Sequence, residues 1–267
     1  MSNILDDIVA KRKQTVAQMK GIIPVGAWEM MPLFSKICEP LTESLLDTSL
    51  TGIIAEFKRA SPSKGVINDT ADVFDVVYEY EQNGAAGVSI LTEPLFFKGN
   101  NDDILSVAES LTVPILRKDF IVEEYQLMES KALGADVILL IAACLTPKAV
   151  KKLAAFAKNI GLEVLLELHD ENELGHICDD VDIIGINNRN LKTFEVDINT
   201  SLKLINKIPT NKPAITESGI SDVETIVTLK QAGFKGFLIG ETFMKETDPA
   251  IAFADFVKKL KAKVHEN

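Results

Sequence analysis

The segment Ile53-Ile-Ala-Glu-Phe-Lys-Arg-Ala-Ser-Pro-Ser-Lys-Gly65 is an apolar run that stops at two opposite charges and a loop of small residues. Side chains alternate in an extended chain, so Glu56 and Lys58 share one face while Ile53, Ala55 and Phe57 take the other. Two ionisable groups in a partly enclosed space perturb each other's protonation and can supply acid and base chemistry; an inert ion pair leaves the same mark in sequence. The pattern recurs. Polar groups follow other apolar runs as Arg117-Lys118-Asp119, as Glu167, as Asn187 and Arg189, and as Glu217-Ser218-Gly219. Any one of these can be a satisfied structural charge, but their shared position at the ends of runs points to one collected site.

Eight short apolar runs carry these groups: Gly52–Phe57, Ala86–Leu91, Val113–Leu116, Asp136–Ala142, Glu163–Leu168, Asp182–Ile186, Ala214–Thr216 and Gly236–Ile239. Each reads as a fully buried strand. Between them, Val73–Tyr80, Tyr125–Leu133, Ala149–Ala157 and Val223–Lys230 have helical periodicity. Thr146 before Pro147, Asp248 before Pro249 and a capping box at Ser221-Asp-Val-Glu224 mark helix starts, and Gly84, Gly134, Gly161 and Gly233 mark helix ends. Eight βα repeats with such short connections predict an α/β fold, a single (β/α)8 TIM barrel. The barrel domain then occupies residues 49–267, and residues 1–48 form an N-terminal helical extension whose Ile4, Leu5, Ile8 and Val9 suggest an amphipathic helix. That extension can lid one mouth of the barrel, cover its bottom or pack against its side.

Bulk properties narrow the function. The formal net charge of −11 over 267 residues disfavours binding to nucleic acid or to an anionic membrane surface. The run Val137–Leu145 is too short to span a bilayer, and the start Met1-Ser-Asn-Ile-Leu-Asp-Asp has no secretory character, so a cytoplasmic protein is expected. Cys38, Cys144 and Cys178 are odd in number and lack metal-ligand spacing, which reads as buried reduced thiols and no metal site. An anionic small ligand needs a local basic pocket, for which Lys58, Arg59, Lys118 and Arg189 stand at the ends of runs.

Two loops suit a phosphate. Ser218-Gly219-Ile220 leads into a helix, and Leu238-Ile239-Gly240-Glu241 follows the eighth run. Backbone N–H groups at such loops and the positive end of a helix accept an oxyanion, and the seventh and eighth loops are the usual phosphate cradle of a barrel. Tight turns without a ligand would look the same. Ser61 can add a hydroxyl donor, with Pro62 stiffening its loop.

Together, Glu56-Phe-Lys-Arg-Ala-Ser-Pro-Ser63, Leu91-Thr-Glu-Pro-Leu-Phe-Phe-Lys-Gly99, Leu116-Arg-Lys-Asp-Phe120, Leu166-Glu-Leu-His169, Ile184-Gly-Ile-Asn-Asn-Arg-Asn190, Glu217-Ser-Gly219 and Leu238-Ile-Gly-Glu241 resemble the indole-3-glycerol-phosphate synthase family over nearly the whole chain. The resemblance implies ring closure of 1-(2-carboxyphenylamino)-1-deoxyribulose 5-phosphate with loss of carbon dioxide and water, in tryptophan biosynthesis, without metal or organic cofactor. It implies that Lys118 is the first acid. Lys58 would bind the substrate carboxylate or act as acid in dehydration, with Glu167 and Glu56 as base and hydrogen-bond partners. Asn187 and Arg189 would position the substrate, and Glu217 would bind a substrate hydroxyl or order the lysines. Ser61, Ser218, Gly219 and Gly240 would hold phosphate, and Phe97 and Phe120 would wall the aromatic ring, although either aromatic can be ordinary packing. A small-molecule sugar phosphate is thus the expected partner of a monomer, with any association with other pathway enzymes weak. Two rivals stand beside this reading: an aldolase-type lyase with a Schiff-base lysine, and a sugar-phosphate sensor without turnover.

Overall fold

The computed structural model describes residues 4–191 and 193–265; positions 1–3, 266 and 267 of the two predicted segments, and Lys192, lie outside the described residues. Eight parallel strands close into a barrel: β1 (Ile53–Phe57), β2 (Gly87–Leu91), β3 (Ile115–Lys118), β4 (Val137–Ile141), β5 (Glu163–Leu168), β6 (Ile183–Asn187), β7 (Ala214–Glu217) and β8 (Gly236–Ile239). Neighbours in sequence are neighbours in the sheet, and β1 pairs with both β2 and β8. All eight predicted runs are strands.

Both faces of every strand are covered, which is why the runs are continuously apolar rather than alternating. Alternation still decides which core each residue enters. Ile54, Leu116, Val137, Leu139, Leu165, Ile183, Ile215 and Leu238 fill the barrel interior. Ile53, Ala55, Phe57, Val88, Ile90, Ile138 and Leu140 face outward into the layer beneath the helices. Strand register then aligns the polar ends, with Leu91 opposite Lys118, Ile141 opposite Glu167, and Asn187 opposite Glu217. The collected charges therefore meet at the C-terminal rim.

The predicted helices extend to Val73–Gln82, Glu124–Leu133, Pro147–Asn159 and Val223–Ala232. Thr146 caps its helix by accepting a hydrogen bond from the Ala149 N–H. Gly84, Gly134, Gly161 and Gly233 all have left-handed φ, from 81 to 114°. The expected capping box at Ser221 is corrected: Asp222 is the cap, its carboxylate accepting from the Thr225 N–H. An ionised carboxylate at the helix start outcompetes the adjacent hydroxyl, because it also meets the positive end of the helix dipole.

The N-terminal extension reaches both ends of the barrel. Helix α1 (Ile4–Ile22) lies across the C-terminal rim, where Ile4, Leu5 and Ile8 reach the central cup. The short helix Leu41–Leu46 instead drives Leu41 and Leu45 into the barrel interior from below. Glycine makes room for them. A methyl group on Gly236 would lie 2.6 Å from Leu45 Cδ2, and one on Gly87 would lie 2.9 Å from Leu41 Cδ1. Among the described residues no helix is long and apolar enough to cross a membrane. Cys38, Cys144 and Cys178 are free, as expected, but half-buried rather than fully buried.

Candidate active site

A cup of about 600 Å³ opens at the C-terminal rim, within the range of small-molecule sites. Glu56, Lys58, Lys118, Glu167, Asn187 and Glu217 form its floor and flanks. Ser61, Phe97, Phe120, Arg189, Ser218, Gly219 and Gly240 also line it, so these residues share one cavity.

Lys118 is the hub. Its Nζ donates to Glu217 Oε2 and lies 3.3 Å from Glu167 Oε2. Lys58 Nζ donates to Glu56 Oε1 at 2.7 Å. Glu56, Glu167 and Glu217 are each no more than 4% exposed. Burial disfavours the Lys118 ammonium, but Glu217, Glu167 and Glu56 outweigh it and hold the group charged, well above an ordinary lysine.

The two carboxylates on Lys118 diverge. Burial raises both, yet Lys118, His169 and Asn187 together hold Glu167 far below the ordinary carboxylate range. Glu217 is pushed up to about 7, because burial and the nearby charge of Glu167 outweigh the help it receives from Lys118. Its Oε1 is buried with no hydrogen-bond partner among the described residues and packs close to Gly185, where an added methyl group would lie 2.8 Å away. One buried acid is thus fixed as an anion and its neighbour can exchange a proton near neutrality, an arrangement suited to acid–base chemistry.

At the opposite wall Ser218 and Gly219 both take left-handed φ, 66° and 78°. A residue with a side chain costs energy in that conformation, and Asn188 holds it there. Its Nδ2 donates to Ser218 O at 3.1 Å and to Thr216 Oγ1 at 3.0 Å, while its Oδ1 accepts from Ser201 Oγ. Ser61, Ser63, Lys64, Arg189 and Ser221 surround this wall. Glu241 lies 3.5 Å from Lys64 Nζ and 3.7 Å from Arg189, so two loops converge on one point.

The apolar side is formed by Phe97 and Phe120, with ring centroids 6.0 Å apart. The Glu93 carboxylate shapes the Phe97 loop by accepting the N–H groups of Leu95, Phe96 and Phe97. Ile4, Leu5 and Ile8 of α1 complete the wall.

Two sequence expectations are corrected. Arg59 does not join the basic pocket: it sits one residue past Lys58 on the opposite face and pairs with Asp103. Arg117 likewise turns outward. It is fully buried among Thr92, Ser130, Asn101, Asp119 and Glu129, and Asp119 in turn pairs with Arg12 of α1. Lys64, Ser63, Asn188, His169 and the α1 residues were not singled out for the site. A Ser-Lys pair in a small-residue loop was the signal for the first two; nothing local announced α1.

A barrel with its charged cup at the strand C-termini belongs to the broad class of (β/α)8 barrels that carry their active sites at that face. Among solved structures the chain is similar in fold to tryptophan synthase subunit alpha from Legionella pneumophila, with a TM-score of 0.62 at 12% identity over 85% of this chain and 97% of that one. It is also similar to 3-hexulose-6-phosphate synthase from Salmonella typhimurium, with a TM-score of 0.63 at 12% identity over 79% of this chain and 99% of that one. Sequence relatives are nearer. Indole-3-glycerol phosphate synthase of Bacteroides thetaiotaomicron is 44% identical over 97% of this chain and all of its own length. The protein of that name from Caldanaerobacter subterraneus is 43% identical over 97% of this chain and 99% of its own. The family model for indole-3-glycerol phosphate synthase matches residues 5–256. The chain belongs to the indole-3-glycerol phosphate synthase family, a family of lyases.

Proposed function

We propose that this chain closes the indole ring of 1-(2-carboxyphenylamino)-1-deoxyribulose 5-phosphate, and that the cup residues divide the work as follows. The observation that carries the reading is the buried Lys118 ammonium between Glu167 and Glu217, facing the same cavity as the left-handed Ser218-Gly219 loop. Lys118 donates a proton to the ketone oxygen as the ring carbon that bears the carboxylate attacks the ketone carbon. The new ring then loses carbon dioxide, which restores the aromatic sextet. Lys58 first pairs with the departing carboxylate and then protonates the hydroxyl that leaves as water. A carboxylate, Glu56 or Glu167, takes the last proton, and Glu217, whose Oε2 accepts from Lys118, orders that lysine or binds a substrate hydroxyl.

Asn187 and Arg189 orient the sugar. Ser61, Ser218, Gly219 and Gly240 hold the phosphate, and Phe97 and Phe120 stack against the aromatic ring. Lys118 held charged by two carboxylates suits an acid better than the neutral amine a Schiff base requires. The 1–48 extension serves the same barrel domain, 49–267, by supplying α1 to the cup. Three thiols outside disulfides fit a reducing cytoplasm, and the chain would act on a sugar phosphate as a monomer, with no more than weak association with other enzymes of its pathway.

Indole fluorescence on adding the carboxyphenylamino sugar phosphate, with no metal added, is the expected result. A substrate lacking its phosphate should have a KM raised by ~10²-fold or more, since two charge-assisted bonds contribute about 1.5–3 kcal/mol each. A covalent adduct on Lys118 after borohydride treatment, with no fluorescence, would sink the reading.

Gly240 offers a further check. A methyl group there would lie 2.5 Å from Glu56 Oε1 and 2.9 Å from its Cβ. Gly240→Ala is therefore expected to move the Glu56 carboxylate away from Lys58 and to lower kcat by about tenfold or more, the scale of one misplaced catalytic group. Unaltered kcat in that variant would take Glu56 out of the mechanism.

A further inference from the structure

His169 follows Glu167 by two residues just past the end of β5, so alternation turns both toward the barrel axis. Its ring is one-tenth exposed and does not line the cup, so a bound substrate would touch Glu167 and not the imidazole. The imidazole lies between two carboxylates: Nε2 is at ion-pair distance, 3.1 Å, from Glu167 Oε1 without the alignment of a hydrogen bond, and Nδ1 is 3.4 Å from Glu173 Oε2. Glu173 is itself anchored, accepting the His169 backbone N–H at 2.6 Å. The other oxygen of Glu167 faces Lys118 at 3.3 Å. Glu167 therefore has one basic side chain on each oxygen.

We propose that His169 is a positioning residue: as an imidazolium braced by Glu173, it holds Glu167 as a fixed anion beside Lys118, so that Lys118 remains the proton donor of the pair. This rests on the reading of the cup as a ring-closing site. The surroundings support it. From β3, Lys118 faces Glu167; from β6, Asn187; from β7, Glu217; and from β1, the charge of Glu56 reaches Lys118. After β4 stands Cys144, which senses Glu167 and Glu173 together with Asp6 and Lys13 of α1. The neighbouring His176 is turned to the carbonyls of Glu173 and Leu145, leaving His169 as the histidine on Glu167. Burial alone would favour a neutral ring, but Glu167 and Glu173 push His169 up to about 10.

The sign of the effect follows. Glu167 is depressed, so it stays ionised as pH falls until well into the acid range. Removing the imidazolium leaves Lys118 as its remaining cation, and Glu167 then takes up a proton at higher pH. His169→Gln keeps a polar side chain and removes the charge. The acid limb of its kcat–pH profile should move up by about one pH unit or more, so that the loss in kcat deepens as pH falls, with KM within about twofold. A residue that merely ties down the loop would instead lower kcat by the same factor at every pH.

The second measurement needs no variant of His169. In the full chain with ¹⁵N-labelled histidine, the His169 ring, identified by substituting His176 and His265 in turn, should give an imidazolium signal at about pH 8, where an ordinary histidine is neutral. A neutral ring there, or an unmoved acid limb in His169→Gln, overturns the proposal. If His169→Gln fails to fold, the ¹⁵N result decides alone. If the intact chain gives no indole product, the proposed function falls while the ¹⁵N signal still decides the state of His169.

Discussion

Lys118→Met is expected to lower turnover by at least ~10³-fold while weakening the binding of a substrate analogue by less than about tenfold. General acid catalysis contributes roughly 10² to 10⁴ in rate, and in this cup Lys118 is the ammonium that touches two buried carboxylates. Methionine fills a similar volume, so the space left by the lysine side chain stays filled. The charge left behind can be absorbed. Glu217 is already raised to about 7 and takes up a proton once its cation is gone, and Glu167 keeps His169. The folded state therefore persists, and the loss falls on kcat. Steady-state kinetics with a parallel binding measurement on a non-reacting analogue separates the two. Turnover within tenfold of the unmodified chain would remove Lys118 from the acid role.

The second large effect concerns stability. Arg117→Met should cost about 3–5 kcal/mol in denaturant unfolding, because removing one partner of a fully buried ion network leaves the others uncompensated. Arg117 has no exposed side-chain surface and reaches Asp119 Oδ2 at 3.1 Å and Glu129 Oε2 at 2.6 Å. Burial opposes its charge, yet Glu129 and Asp119 keep it above an ordinary arginine. Asp119 retains Arg12 in the variant, but Glu129 would be left with Arg12 at 4.0 Å and a hydrogen bond from Asn101. The midpoint of unfolding should fall accordingly. A loss below about 1 kcal/mol would mean that water or a neighbouring cation replaces the guanidinium at no cost.

The pair Arg117 and Lys118 shows how far sequence reaches. Strand positions were legible because a barrel strand covered on both faces is a continuous apolar run, and the rim was legible because polar residues end those runs. Which of two adjacent cations enters the cup depends on a single step of alternation, and the run gives no absolute phase. Lys58 and Arg59 repeat the lesson, the first in the cup and the second on Asp103. The cap was expected at Ser221 and is taken by the adjacent Asp222, through a charge effect that spacing does not encode. The contribution of α1 was the least legible. Its contacts with the cup join residues distant in sequence, and its own pattern says only that one face is apolar. His169 ends the motif Leu166-Glu-Leu-His169, yet its meaning depends on Glu173 folding back to meet it.

Leu41 and Leu45 emerge early in synthesis, and their seat is not complete until Gly236 opens the last strand. Until then the interior layer of Ile54, Ile215 and Leu238 has no floor. A growing chain therefore keeps these two leucines waiting, and barrel closure and bottom sealing become one event that brings the helix Leu41–Leu46 against β8.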